Sequence, residues 1–342
     1  MSNLTIRDIA RMAGVSTTAV SFVLNNRSGV SAATRQKVQD IIQRTGFTPN
    51  VHTRRLNLGK SFTIHVVLRW YEYGLFNQFA LEILFGIFMA SKERGYSVIF
   101  TFVNDSMDDE QLLESIRSRD CDGVILSQID DMSFIATLQK EQIPLICVDS
   151  HIKKDGTLPL VEVDYYDAAY RATQYLYQCG HTEIGFIGPQ TPLELHKSTF
   201  GGYTDALRDA GLICNPAWMP KIPFAKTSGE SCIKQLLQCS HLPTAFFCSG
   251  DPFAIDAMQC AKQHGLRIPQ DISFISVDNL LVSSYVDPSL TTMTFEKEQL
   301  GRKAMETLCQ IINGQPYEAI TLMPTQLVER STVRILRQSS CR

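Results

Sequence analysis

No run in this 342-residue chain is apolar and long enough to cross a bilayer, and the opening MSNLTIRDIA carries charge where an export signal needs its apolar stretch. The expected location is the cytoplasm. Cysteine is missing from the first 120 residues, and the ten from Cys121 onward include no CxxC pair and no metal-ligand spacing, so reduced thiols are expected rather than zinc or disulfides. Also missing are GxGxxG after the first strand, GxxxxGK[ST] and GxSxG. The nearest approach, Phe247-Cys248-Ser249-Gly250-Asp251, lacks both flanking glycines. No catalysis, cofactor or metal is therefore expected. A net charge of -3 gives little excess of either sign, which at first argues against a polyanionic partner.

What is present overturns that last inference, because the charge is unevenly placed. Residues 1–60 hold nine Lys/Arg against only Asp8 and Asp40, whereas the remainder holds 23 basic against 33 acidic residues. A basic head on an acidic body predicts that only the head meets nucleic acid. Within the head, Thr5 precedes Ile6, Ile9, Ala10 and Ala13 at helical spacing, and Gly14 ends that helix. Ser16 can cap a second helix with Ala19, Val20, Val23 and Leu24 inward. A third helix runs from Ser31 through Val38, Ile41 and Ile42. Short helix, Gly-containing turn and short helix predict a helix-turn-helix whose second helix enters the major groove, exposing Thr17, Thr18, Ser21 and Phe22.

The phrases TIRDIARMAGVSTTAVSFVLNN, VSAATRQKV and GFTPN closely resemble the head of lactose-repressor (LacI-type) bacterial regulators. The resemblance implies that Thr17, Thr18 and Phe22 read bases, while Thr5, Ser16, Ser21, Asn25, Ser31 and Thr34 hold phosphate through hydrogen bonds. Phe22 stands where members commonly carry Arg; it offers apolar contact in place of a bidentate guanine fork, which predicts an atypical half-site. Asn50, Arg54 and Leu56 fall in the segment the family folds into a hinge helix, with Leu56 as a minor-groove wedge.

From residue 62 apolar runs alternate with amphipathic stretches: strands at 63–68, 97–102, 123–126 and 145–148 interleave helices at 79–93, 109–118 and 133–141. The rhythm restarts after Asp164 with helix 166–178, strand 183–187, helices 201–210 and 229–238, strand 245–248, helix 253–264 and strand 273–277. The expected fold is a small all-α helix-turn-helix head plus an α/β core of two doubly wound lobes, with ligand beyond the carboxyl ends of the strands. By the resemblance the core is similar to periplasmic sugar-binding proteins. The domain plan is 1–48 head, 49–61 hinge and 62–330 core, with a tail at 331–342. Within the core the N-lobe is expected at about 62–163 and 291–322, and the C-lobe at about 164–290 and 323–330.

Asp149, Asp251 and Asp278 fall at or just beyond predicted strand ends and resemble ligand positions of the family, Asp278 best of all. Phe76, Phe79, Phe224 and Phe295 are the aromatic candidates. Thr199 replaces the family's Arg, with Lys197 close by. Without that Arg, the expected effector is a sugar or glycoside of an uncommon kind, or a nucleobase or other metabolite. A stand-alone sugar carrier would explain the body but not the head. The sequence thus predicts a homodimeric repressor of carbohydrate-use genes that binds a pseudopalindromic operator on double-stranded DNA and answers to a small molecule. RILRQSSCR, with no leucine heptads, predicts no dimer of dimers.

Overall fold

The computed structural model describes residues 4–24, 28–47, 60–70, 74–103, 109–117, 121–189, 194–220, 229–239 and 241–336. The chain divides into two units, Met1–Phe62 and Thr63–Arg342. In the first, α1 (Ile6–Ala13), α2 (Thr17–Leu24) and α3 (Ala32–Thr45) close over Ile9, Ala13, Val20, Val38 and Phe47. Each boundary has a local cause. Thr5 and Asp8 form a reciprocal capping box on α1, Ser31 caps α3, and Gly14 and Gly46 end α1 and α3 at φ 63° and 64°.

The second unit contains two sheets. Its elements in chain order are β1 (Thr63–Arg69), α4 (Gly74–Glu93), β2 (Ser97–Val103), α5 (Asp109–Arg117), β3 (Gly123–Ser127), α6 (Met132–Lys140), β4 (Leu145–Val148) and β5 (Leu160–Val163). Then follow α7 (Tyr165–Gln178), β6 (Ile184–Ile187), α8 (Glu194–Asp209), α9 (Gly229–Leu236), β7 (Ala245–Cys248), α10 (Asp251–Gln263), β8 (Ser273–Val277), β9 (Thr291–Thr294), α11 (Lys297–Ile312), β10 (Ile320–Met323) and β11 (Gln326–Val328). The first sheet, β10-β5-β4-β3-β1-β2, is parallel throughout; the second, β11-β9-β8-β7-β6, is parallel except for β11 against β9. Strands such as β3, β4, β6, β7 and β8 are buried at every residue, as helices on both faces require, which is why they read as unbroken apolar runs.

Three expectations need correction. Strand β9 belongs to the second sheet, so the N-lobe's second segment begins after Thr294 rather than at 291, and it extends through Met323. The chain therefore passes between sheets at 163–165, 294–297 and 323–326. Residues 331–336 are not a separate tail: Thr332 is buried and exchanges backbone and hydroxyl hydrogen bonds with Phe274 and Thr291, and Leu336 N donates to Cys179 O at 2.7 Å. Helix α8 starts at Glu194, seven residues before the expected 201. Gly201 and Gly202 read as a helix start, but Gly202 serves packing, because a Cβ there would lie 2.2 Å from Tyr166 O on α7.

A similar contact joins α4 to α11. A Cβ on Gly86 would meet Glu298 O at 2.0 Å, and one on Gly301 would meet Ile83 O at 2.1 Å. The two helices thus touch backbone to backbone at both points.

Candidate nucleic-acid interface and ligand crevice

At the start of α2, Ser16, Thr17 and Thr18 are exposed. Ser16 Oγ accepts from Ala19 N at 3.1 Å, which uses a lone pair and not its hydroxyl hydrogen. Thr5 differs from expectation: its hydroxyl donates to Asp8 Oδ2 at 2.6 Å, so it is committed to the cap. Ser31 and Thr34 hydroxyls pair at 2.9 Å across the first turn of α3. Ser21 and Phe22 are half-buried. The Phe22 ring lies against the turn between α2 and α3, where a Cβ on Gly29 (φ 113°) would come within 2.9 Å of Phe22 Cε2. Phe22 thus packs on its own turn and does not stand clear beside Thr17 and Thr18. Asn25, Asn50, Arg54, Leu56 and Phe224 lie outside the described residues, as does all of the expected hinge except Lys60 and Ser61.

In the second unit, residues just past the strands carry the unusual chemistry. Seven non-glycine residues have positive φ among those described. Five of them, Gln128, Asp149, His151, Asp278 and Asn279, follow β3, β4 or β8. Such backbones cost about 1–3 kcal/mol each and collect where a site dictates side-chain direction. Asp149 is buried, accepting from Tyr165 Oη at 2.8 Å and Gln128 Nε2 at 3.2 Å. Asp278, past the neighbouring lobe's β8, accepts from Asp251 N at 3.3 Å. At the ends of β3 and β7, Ser127 Oγ, Gln128 Oε1 and Ser249 Oγ are buried without a hydrogen bond among the described residues, as is His196 Nδ1 on α8. Unsatisfied groups of this kind are costly unless a ligand or water answers them.

The three expected carboxylates have different roles. Asp251 opens α10 and is saturated: Ser276 Oγ (2.5 Å) and Thr292 Oγ1 (2.7 Å) donate to Oδ1, while Leu280 N (2.7 Å) and Ser283 Oγ donate to Oδ2. With four acceptor positions filled, Asp251 ties β8, β9 and the turn at 280–283 together instead of reaching a ligand. Asp278 has a single backbone donor. Burial, then repulsion from Asp251, pushes its carboxyl well above the usual range, with Asp149 adding to the shift and Lys297 opposing it. Of this buried pair, Asp278 is the member that takes the proton. Asp149 is raised chiefly by burial.

Behind Asp149, His151 Nδ1 pairs with Glu162 at 3.0 Å and Nε2 lies 3.9 Å from Asp149. This trio is the metal-capable grouping among the described residues. Lys154 Nζ already stands 2.7 Å from Glu162 Oε2, however, and Tyr165 and Gln128 cover Asp149, so the donors are balanced by protein. Burial alone would raise Glu162, but His151 and Lys154 outweigh it and hold the carboxyl below its usual value.

Phe79 and Phe295 are brought together, edge to face with centroids 5.5 Å apart, and both are buried. Phe76 lies on α4, but its side chain is outside the described set. Lys197 is exposed and paired with Glu194 on its own helix. Thr199 is buried and donates to Leu195 O at 2.8 Å. Neither of the last two supplies the cation that the family's Arg would provide. Tyr165, Gln128, His196 and Lys297 were not foreseen. Tyr165, Gln128 and Lys297 acquire their roles from contacts distant in sequence, and His196 stacks on Phe200 one turn along its own helix. A concavity of about 620 Å³ lies beside α4, lined by Glu82, Phe85, Asn279, Leu281 and Arg330 among others, with neither Asp149 nor Asp278 in its wall.

A helix-turn-helix head carried on a two-lobed parallel-sheet receptor, with unsatisfied polar groups at the strand ends, defines a ligand-responsive DNA-binding regulator. Comparison with known proteins agrees. Residues 5–50 match the model for bacterial regulatory proteins, lacI family, and residues 173–333 match the periplasmic binding protein-like domain. The chain is 31% identical over 335 residues to the HTH-type transcriptional repressor CytR of Escherichia coli (strain K12), covering 97% of both. It is also 31% identical over 336 residues to the repressor PurR of Pasteurella multocida (strain Pm70), covering 96% of this chain and 98% of the relative. Among solved structures it is similar to the lac repressor dimer bound to operator and the anti-inducer ONPF, with TM-score 0.78, 25% identity and 97% and 100% of the two chains covered. Similarity also extends to the CelR–cellobiose complex, with TM-score 0.74, 25% identity and 96% and 99% covered. The chain belongs to the LacI family of bacterial regulatory proteins. No helix among the described residues is long and apolar enough to cross a membrane.

Proposed function

We propose that the protein is a homodimeric cytoplasmic repressor whose grip on a pseudopalindromic operator is set by an uncharged, hydroxyl-rich ligand, a sugar or glycoside, held between Asp149 and Asp278. The observation that carries this reading is the pair itself: one carboxylate past β4 and one past β8, in different sheets, with Ser127, Gln128 and Ser249 left without partners at the same strand ends. A protonated Asp278 and an accepting Asp149 suit hydroxyls, which both donate and accept. An anionic ligand is disfavoured, since Thr199 and Lys197 are spent on their own helix. A second reading, a nucleobase or nucleoside, is supported by His196, whose ring stacks on Phe200 at 5.2 Å with Nδ1 unpartnered.

Binding, not catalysis, is the role proposed. Ser249 Oγ, in the sequence stretch that comes nearest to a nucleophile motif, has no hydrogen-bond partner among the described residues to act as a base. Thr17, Thr18 and Ser16 at the α2 N-terminus face DNA in this reading, and the stripe Leu81, Phe85 and Phe88 on α4, each about half exposed, supplies the two-fold contact. The test is operator selection from random duplexes with the full chain, followed by thermal shifts with cellobiose, other glycosides and ribonucleosides. A binder at 100 times its Kd should add about 2.7 kcal/mol, and Asp278→Ala should lose it. Selection that enriches no sequence would remove the regulator reading.

A further inference from the structure

We propose that Lys297 transmits occupancy of the crevice to helix α4, by dividing its ammonium between Asp278 of one lobe and Glu82 of the other. The proposal rests on the ligand reading above. Lys297 opens α11 directly after the chain has crossed from the second sheet to the first, so its backbone belongs to the N-lobe. A lysine there would ordinarily keep its head in water. Instead its side chain is 4% exposed, with Nζ 3.9 Å from Glu82 Oε2. Nζ also donates to Asn279 O at 3.3 Å and lies 5.2 Å from the centre of the Phe295 ring. Asp278, next to Asn279, lies within the ammonium's field. The cation therefore has Glu82 beside it on its own lobe and, across the lobe boundary, the carbonyl of Asn279, the residue after Asp278.

Without ligand, Asp278 keeps its proton because it is buried beside Asp251 with one backbone donor, and Lys297 leans on Glu82 and the Asn279 carbonyl. Ligand hydroxyls donating to Asp278 favour its ionised form. The counter-charge then turns toward Asp278 and loosens its hold on Glu82. Glu82 sits on α4 beside Leu81 and three residues before Phe85. Since Gly86 and Gly301 lock α4 to α11 backbone to backbone, a shift at Lys297 moves the helix pair and is not absorbed by side chains.

Raising the pH favours the ionised form of Asp278 without any ligand and so serves as the probe. The groups facing Asp278 are Asp251, Asp149, Tyr165 and Lys297, with Glu82 beside Lys297, Arg330 on Asn279 Oδ1 and His151 behind Asp149; each comparison therefore uses Asp278→Asn, which retains all the others. The full chain is assayed from pH 6 to 9 by anisotropy on the selected operator and by hydrogen exchange of residues 74–93. Operator affinity of wild type should change at least fivefold beyond the change in Asp278→Asn, the lower end of ordinary allosteric coupling. Lys297→Met should abolish the excess and Lys297→Arg should keep it. Glu82→Gln and Asp278→Asn should lie on opposite sides of wild type. An excess that survives Lys297→Met, or Glu82→Gln and Asp278→Asn displaced in the same direction, overturns the proposal. Should Lys297→Met fail to fold, the other three variants decide. The exchange measurement needs no DNA, so failure to select an operator counts against the regulator reading alone.

Discussion

Replacing Asp251 with alanine should destabilise the body far more than its single carboxylate suggests. Four donors end on that group, from Ser276, Thr292, Leu280 and Ser283, and all are buried with it. Hydrogen bonds to a charged group contribute about 1.5–3 kcal/mol each, so the gross loss is large. Part is returned, because removing a buried charge relieves its desolvation and its repulsion of Asp278. The expected net cost is about 3–5 kcal/mol, the range seen when one side of a buried charged network is deleted. Asp251→Asn should cost less, since its oxygen can still take Ser276 and Thr292 and the Ser283 hydroxyl can rotate to accept; only Leu280 N then meets another donor. The assay is urea unfolding of the full chain at neutral pH, followed on the transition of the body. An alanine variant within about 1 kcal/mol of wild type, or an asparagine variant worse than alanine, would refute the network and return Asp251 to the list of ligand contacts.

Burial, the largest cause, lowers the His181 pKa to about 4 and keeps the ring neutral; the Arg334 carbonyl opposes this by accepting from the ring, and the Arg334 charge adds to it. The unfolded chain takes up that proton first, so stability should be flat above pH 6.5 and fall by about 3 kcal/mol as pH drops toward 4; urea midpoints across that window should flatten in His181→Gln. Gly301→Ala places a methyl on Ile83 O, and a loss of about 3 kcal/mol in the same assay is expected. Phe85→Glu puts charge into the exposed α4 stripe and should leave a folded monomer in sedimentation at micromolar concentration; an unchanged dimer would move the two-fold contact elsewhere.

The head was largely legible because its signals are local: Thr5, Ser16 and Ser31 sit at helix starts, Gly14 and Gly46 at helix ends, and the apolar spacing between them matches the buried set. The long buried strands were legible for the same reason. The lobe boundary was harder to read, because β5 and β9 carry Glu162 or threonines where β4, β6 and β7, of the same length, are apolar, so no apolar run marks them. The start of α8 was missed, and Gly202 gives no help there, because a glycine that admits a neighbouring backbone looks the same in sequence as one that breaks a helix. Asp149, Asp251 and Asp278 look alike in sequence, each an aspartate at a strand end. Only their partners, up to 41 residues away for Asp251, separate a scaffold from a site. Lys297 gives no signal at all, since a lysine at a helix start is usually solvated.

The three passages between sheets also fix an order of assembly. Strand β10, which pairs with β5 at the edge of the first sheet, and α11, which lies against α4, are made only after the whole span from 164 to 294 has been synthesised. On the ribosome the N-terminal lobe therefore emerges without its covering helix and last strand, exposing the Ile83 and Ile87 side of α4 until the other lobe has been translated. β11, in turn, reaches the second sheet only after β10 has been made. Each lobe is completed only by the stretch after residue 297, so the body should fold in one late cooperative step, and chains that stop short of residue 297 should depend on chaperones.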